Sequence, residues 1–284
     1  MDLTVDRAYE TCRRMQRRHD PTYYWATRRL PAEIRPATHA LYGYVRTADE
    51  IVDGPRRAAS TEARRAALDA WESELERGLA AGRSTHPVVG ALVDAGQRHR
   101  LPLGELRTYM RSMRIDCGPV RIETWPELEA YMDGSAGSVG RIMAPLLGVP
   151  ARHHAGFGRL GQAFQLTNFI RDVREDTRLD RVYLPAEDRA RFGVDDSDLA
   201  GEHASPELRA LLAHELRRAR ALFAESEPAI AAAPASVRSG VRFAVAIYLR
   251  VLDRVERIDF DVLGRRAGVR AWQVPGAALG ALRR

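Results

Sequence analysis

The chain has 284 residues, 45% apolar and 29% charged, enough to build a packed core around a cavity and too apolar for global disorder. Its net charge is +6 and all 44 basic residues are arginine. That excess is modest and spread along the chain, with no basic tail, no zinc-ligand spacing and no aromatic-basic module, so no nucleic-acid partner is expected. Two cysteines cannot form a disulfide framework, and no stretch approaches about 18 apolar residues. With a charged N-terminal stretch that carries no apolar signal segment, these features point to the cytoplasm.

In chain order, Tyr42–Asp53 reads as a helix that mixes apolar residues with clustered carboxylates. Thr61–Ala81 follows as an Ala/Leu/Glu/Arg-rich helix, with Ser60 placed to cap its start. Turn signals fall at Asp53-Gly54-Pro55, Arg83–Pro87, Arg100–Gly104 and Gly148-Val149-Pro150. Tyr131–Leu147 reads as helix despite its glycines, and Gln162–Asp176 as a second acid-bearing helix. Pro206–Glu227 begins after Ser205, with Pro206 suited to the first turn. Alternating β-branched runs are nearly absent, and there is no linker or solenoid repeat. The expected architecture is one all-α domain, residues 1–284, of roughly ten helices.

Asp49 and Asp53 are four apart, which on a helix sets both carboxylates on one face about 6 Å from each other. Arg46 lines the same side and Glu50 stands beside them. Asp172 and Asp176 repeat the spacing, and Gln165, Asn168, Asp172 and Asp176 form one polar stripe on an otherwise apolar helix. Like charges at this spacing repel, so the pairs make sense if they share a cation. Carboxylate oxygens, completed by water and phosphate, are what Mg²⁺ uses, with Mn²⁺ as a substitute. A solvated, salt-bridged face is the plain alternative for either pair alone.

Taken together, Arg46-x-x-Asp49-Glu50-x-x-Asp53, Gln165-Leu-Thr-Asn168-x-x-Arg171-Asp172-Val-x-x-Asp176 and Arg181-Val-Tyr183-Leu-Pro185 resemble the squalene/phytoene synthase family. His19-Asp-Pro-Thr22-Tyr23-Tyr24 is similar to its N-terminal substrate-binding segment, where serine is commoner than Thr22. Met113-Arg-Ile-Asp116, Tyr131-x-x-Gly-Ser-Ala-Gly137-x-Val-Gly140 and Asp259-x-Asp261-Val-x-x-Arg265-Arg266 match further stretches in the same order. The resemblance covers about residues 8–270.

The resemblance implies an all-α isoprenoid-synthase fold with a central cavity, in which two prenyl diphosphates join head to head. Asp49, Asp53, Asp172 and Asp176 are then the metal ligands. Arg46 and Arg171 are the candidate clamps on the leaving pyrophosphate, with Arg265 carried over from the family. His19, Thr22, Tyr23, Glu50, Asp116, Gln165 and Asn168 are expected on the substrate. Ala136, Gly137, Val139, Gly140, Met143, Leu147, Phe164 and Leu166 are candidates for an apolar wall, since water would quench an allylic cation. Tyr42, Tyr131 and Tyr248 are candidates to face that cation or guide proton loss.

The wording of the motifs resembles bacterial carotenoid synthases more than squalene synthases, which implies condensation of two geranylgeranyl groups to phytoene without NADPH. The same motifs accommodate a farnesyl-using squalene, presqualene or dehydrosqualene synthase, an aromatic prenyltransferase acting on an indole- or carbazole-like ring, or a non-catalytic scaffold. Scaffold relatives typically lose the metal-binding acids, and all four are present here. The greasy substrates and the net positive charge raise the expectation of peripheral membrane contact at the inner membrane face. Arg141 replaces the apolar residue common in phytoene synthases, either to alter the substrate or to face outward. His153-His154 lacks ligand partners at metal spacing.

Overall fold

The computed structural model describes residues 3–265, the side chains of Leu3 and Thr22 lying outside what is described. Helix α1 (Leu3–His19) leads into α2 (Pro21–Thr27), α3 (Arg35–Asp53), α4 (Thr61–Ala81), α5 (Pro87–His99) and α6 (Glu105–Ile115). Then come α7 (Trp125–Met132), α8 (Ser138–Leu146), α9 (His154–Arg171), α10 (Val173–Arg178), α11 (Ala186–Phe192), α12 (Asp196–Ala200), α13 (Pro206–Ala232) and α14 (Ala235–Arg257). The all-α expectation holds. The count exceeds ten because short helices stand between the long ones and because two stretches read as continuous are interrupted.

Local chemistry sets the boundaries. Asp20 caps α2 by accepting the Tyr23 N–H at 2.8 Å, ahead of Pro21 in the first turn. Ser60 and Ser205 cap α4 and α13 as expected, accepting the N–H groups of Ala63 and Leu208. Gly82 closes α4 at φ +68°, a conformation natural to glycine. The Tyr131–Leu147 stretch is interrupted by a π-helical turn, Asp133–Gly137, between α7 and α8. The Gln162–Asp176 stretch breaks at Asp172, which joins α9 to α10. The backbone bonds Asp172 N–H to Asn168 O and Asp176 N–H to Asp172 O survive that break, so the polar stripe keeps its register.

Helix α9 runs through the core and buries Phe157, Leu160, Ala163, Leu166, Phe169 and Ile170, which is why its apolar residues circle it rather than forming one stripe. Helices α8 and α13 pack against it. The strands β1 (Val120–Arg121) and β2 (Arg181–Val182) form one parallel pair, with Val120 opposite Arg181. That pairing brings Asp116, just before β1, against Arg181. Cys12 and Cys117 are buried and unpaired, and among the described residues no helix is long and apolar enough to cross a membrane.

Glycine lets α8 and α9 touch backbone to backbone. A Cβ on Gly140 would stand 2.1 Å from the Phe157 carbonyl oxygen, and one on Gly161 would stand 2.4 Å from the Ala136 carbonyl. Gly137 behaves differently: its Cβ would meet the Asp133 carboxylate at 2.7 Å and Arg141 at 3.3 Å. Arg141 turns away from the interior, pairing with Asp133 at 2.6 Å and with Glu105 at 2.9 Å. Gly140→Ala is therefore expected to destabilise the fold by about 2–4 kcal/mol, because two backbones must separate. Gly137→Ala, which displaces only side chains, should lose less than about 1 kcal/mol. Urea unfolding of the two variants checks the ranking.

Candidate functional site

A cavity of about 290 Å³ lies between α2, α3, α8, α9 and α14, with a continuation of about 320 Å³ toward Arg171. Two helices line it in helical register and then run on into the acids. On α3 the lining residues are Thr38, Leu41, Tyr42 and Val45, and Asp49 comes one turn later. On α9 they are Phe157, Leu160, Gly161, Phe164, Gln165 and Asn168, and Asp172 again comes one turn later. The apolar wall and both acid pairs thus follow from two stripes, each four residues from its carboxylates.

A buried guanidinium, that of Arg181, ties together acids from separate elements. Arg181 grips Asp53 with two hydrogen bonds, 2.9 and 2.5 Å, and donates to the Asp116 carbonyl at 2.5 Å. Asp116 accepts from the Tyr131 hydroxyl at 2.5 Å and the Tyr183 hydroxyl at 2.8 Å. Asp49 accepts from Tyr109 at 3.0 Å. Arg171 holds Asp172 in a fork of 2.6 and 2.5 Å. Arg46 pairs with Glu50, and His19 approaches the same carboxylate at 3.6 Å. Among the described residues no side chain hydrogen-bonds the Asp176 carboxyl, which feels Asp172, Asp116 and Asp53 as well as Arg181.

Electrostatics record the crowding. Burial, with smaller contributions from neighbouring acids, pushes Asp49 and Asp116 up to about 6. Burial and then Asp172 push Asp176 up to about 8. Asp49 and Asp53 also occupy the last turn of α3, where the helix dipole disfavours negative charge. Six carboxylates (Asp49, Glu50, Asp53, Asp116, Asp172 and Asp176) share this region with three guanidiniums, those of Arg46, Arg171 and Arg181. An all-oxygen donor set with surplus negative charge fits a hard divalent cation.

Tyr23, Tyr42, Tyr248, Ala136, Val139, Gly140, Met143, Leu147, Phe164, Gln165 and Asn168 all line the cavity. Tyr23 stacks on Tyr42 at 6.3 Å, and Tyr248 packs on Phe164 at 4.3 Å. Burial raises all three hydroxyls, so each stays protonated. Four residues lie elsewhere than expected. Gly137 is absent from the lining because it faces Asp133 and Arg141, and Leu166 is absent because it points into the core. Tyr131 is turned to Asp116, packed against Phe169 and Tyr183. Arg265 is exposed, its backbone N–H on the Asp261 carbonyl, and Arg266 lies outside the described residues.

Sequence reasoning passed over Asp20, Arg181, Tyr109 and Tyr183 as site residues. Asp20 lines both the cavity and its continuation, and its Asp-Pro helix-start signature was available to find it. Among the described residues, the one trio of carboxylate and imidazole ligand atoms within 4.8 Å of one another lies elsewhere, at Asp188, His214 and Glu215. Arg218 already neutralises it, pairing with Asp188 and with Glu215 at 2.8 Å, and stacks over Trp125. The group clamps α11 to α13.

The chain is similar to known proteins over nearly its whole length. Residues 16–273 match the Squalene/phytoene synthase family. A phytoene synthase of Arthrospira platensis is 34% identical over 280 residues, 94% of this chain and 89% of that protein. One from Thermus thermophilus is 35% identical over 273 residues, 96% and 92% of the two chains. Among solved structures, a dehydrosqualene synthase in complex with a ligand superposes with a TM-score of 0.90 at 26% identity, covering 98% of this chain and 96% of that one. A squalene synthase of Alicyclobacillus acidocaldarius gives 0.83 at 27% identity, covering 92% and 97%.

The raised acids fix how stability depends on pH. An unfolded carboxyl titrates near about 4, so between about pH 4 and 8 the native state holds protons that the unfolded chain has released. The contribution of these acids to the stability of the metal-free protein therefore falls as pH rises through that window. Arg181 lowers both Asp116 and Asp176. Arg181→Met should remove roughly 3 kcal/mol at pH 8 and distinctly less at pH 5.5, where Asp116 and Asp176 are mostly protonated. Urea unfolding at both values checks this, and an equal loss at the two would show that Arg181 acts through packing.

Proposed function

Because the chain belongs to the squalene/phytoene synthase family, we propose that it is a prenyltransferase joining two geranylgeranyl diphosphates head to head into phytoene, through a cyclopropylcarbinyl diphosphate and with release of pyrophosphate. The observation that carries this reading is an apolar cavity whose lining on α3 and α9 runs on, one turn later, into Asp49 and Asp172, at a mouth that also holds Arg46, Arg171 and Arg181.

Asp49, Asp53, Asp172 and Asp176 would hold Mg²⁺, with Mn²⁺ as a substitute, and that ion would supply charge to stabilise the departing pyrophosphate. Arg46 and Arg171, with Arg181 beside them, add fixed positive charge on the same side. His19, Glu50 and Asp20 edge the mouth, and Gln165 and Asn168 lead from it into the cavity. Val139, Met143, Leu147 and Phe164 exclude water from an allylic cation, while the faces of Tyr23, Tyr42 and Tyr248 give it a π-rich surround. Asp116 keeps Tyr131 and Tyr183 fixed beneath the acids. In this reading the whole chain acts as one helical domain in the cytoplasm, and its greasy substrates bring it to a membrane surface.

Purified protein with Mg²⁺ and geranylgeranyl diphosphate should yield phytoene, identified by mass, with no nucleotide added. Asp172→Asn should cut pyrophosphate release at least about 100-fold while the protein stays folded, since removal of a like charge from a crowded mouth offsets the weakened Arg171 fork. Inertness toward geranylgeranyl diphosphate, with coupling of farnesyl diphosphate, would move the enzyme to the squalene or dehydrosqualene branch, the kind of enzyme whose folds superpose on this one. Alkylation of an aromatic acceptor, without self-coupling of either diphosphate, would make it an aromatic prenyltransferase.

A further inference from the structure

Helix α2 has two faces of opposite character. Tyr23, Ala26 and Thr27 line the cavity. Trp25 points the other way and is 51% exposed, the most exposed large apolar side chain among the described residues. Leu79 and Ile115, the other two, lie on α4 and α6, away from the cavity. Trp25 thus stands half in solvent on the outer side of a helix whose inner side lines the apolar cavity.

Arg28 stands with its guanidinium 5.6 Å from the Trp25 ring. Arg29 donates to the Trp25 carbonyl at 3.2 Å and lies 3.7 Å over Phe243 of α14. Both arginines are exposed, and among the described residues neither forms an ion pair. From Pro21 to Ala32 there is no acid, and Glu33 beyond is offset by Arg35. Asp20, the acid preceding α2, lines the cavity. Beneath the helix, the cavity's continuation opens past Ile247 and Val251 of α14.

We propose that α2 is a membrane-docking lip: Trp25 enters the interface of an anionic bilayer, Arg28 and Arg29 pair with its phosphates, and prenyl chains pass beneath α2 between lipid and cavity. An indole seats at the level of the headgroups, and arginines beside it gain from the negative surface potential. The lip is short and carries a single indole, so docking is reversible, as suits an enzyme that must exchange substrate and product. The inference rests on the proposed function only for the identity of the passing chains; the docking face stands on its own geometry.

Flotation with vesicles tests it without substrate. The wild-type protein should float with mixed phosphatidylglycerol and phosphatidylcholine vesicles, weakly with phosphatidylcholine alone, and less at high salt. Trp25→Ala and the double variant Arg28→Gln/Arg29→Gln should each lower the partition coefficient about 10-fold or more. Turnover of substrate dispersed in detergent micelles should stay at the wild-type rate for Trp25→Ala, which also shows that this variant is folded. Undiminished flotation of both variants would overturn the proposal. So would Trp25-dependent dimers in sedimentation without vesicles, which would assign the patch to a second copy of the chain. If the wild-type protein shows no micellar turnover at all, the proposed function fails, and flotation still decides the docking face.

Discussion

Six carboxylates crowd a partly desolvated mouth that holds three guanidiniums, and much of the structure is arranged to tolerate this imbalance. Arg181 is fixed by the parallel strand pair, so its forked grip on Asp53 and its bond to the Asp116 carbonyl are set by backbone register. Tyr109, Tyr131 and Tyr183 spend their hydroxyls on Asp49 and Asp116. Even so, burial holds Asp49, Asp116 and Asp176 well above the usual carboxylate range. A site that keeps acids uncomfortable in the absence of a cation is preorganised for one, because binding relieves a strain the fold already carries.

The apolar part of the molecule answers a different need. Helices α8 and α9 approach until glycine alone fits at Gly140 and Gly161, and that contact draws Ala136 and Val139 up to the cavity wall. The same glycine-rich segment thus serves packing directly and the cavity indirectly. Arg141 belongs to the outer side of this seam, held by Asp133 and Glu105, so its charge does not enter the cavity.

The acid pairs were legible in the sequence because spacing on a helix dictates which side chains share a face, and a broken helix still kept Asp172 and Asp176 in register. Ser60, Ser205 and the proline-led starts were legible because capping is local chemistry. Gly137 and Leu166 were misjudged because periodicity gives a residue's angle around its own helix but not which neighbour fills that angle. The π-helical turn at Asp133–Gly137 widens the winding there, and no helical wheel includes it. Arg181 was visible as part of a motif, but its role depends on pairing with a strand some sixty residues earlier. Tyr131, a candidate to face the cation or guide proton loss, instead spends its hydroxyl on an acid for the same reason: Asp116 arrives from another element.

If a cation is what the raised carboxyls await, its binding must release protons. Mn²⁺ titrated calorimetrically into metal-free protein at pH 7, in buffers of different ionisation enthalpy, should release about one proton per protein, because Asp176 is largely protonated at that pH and must ionise to bind. Asp176→Asn should abolish most of that release. Binding of Mn²⁺ with no proton released, or with release unchanged in the variant, would mean that the raised carboxyls do not hold the cation.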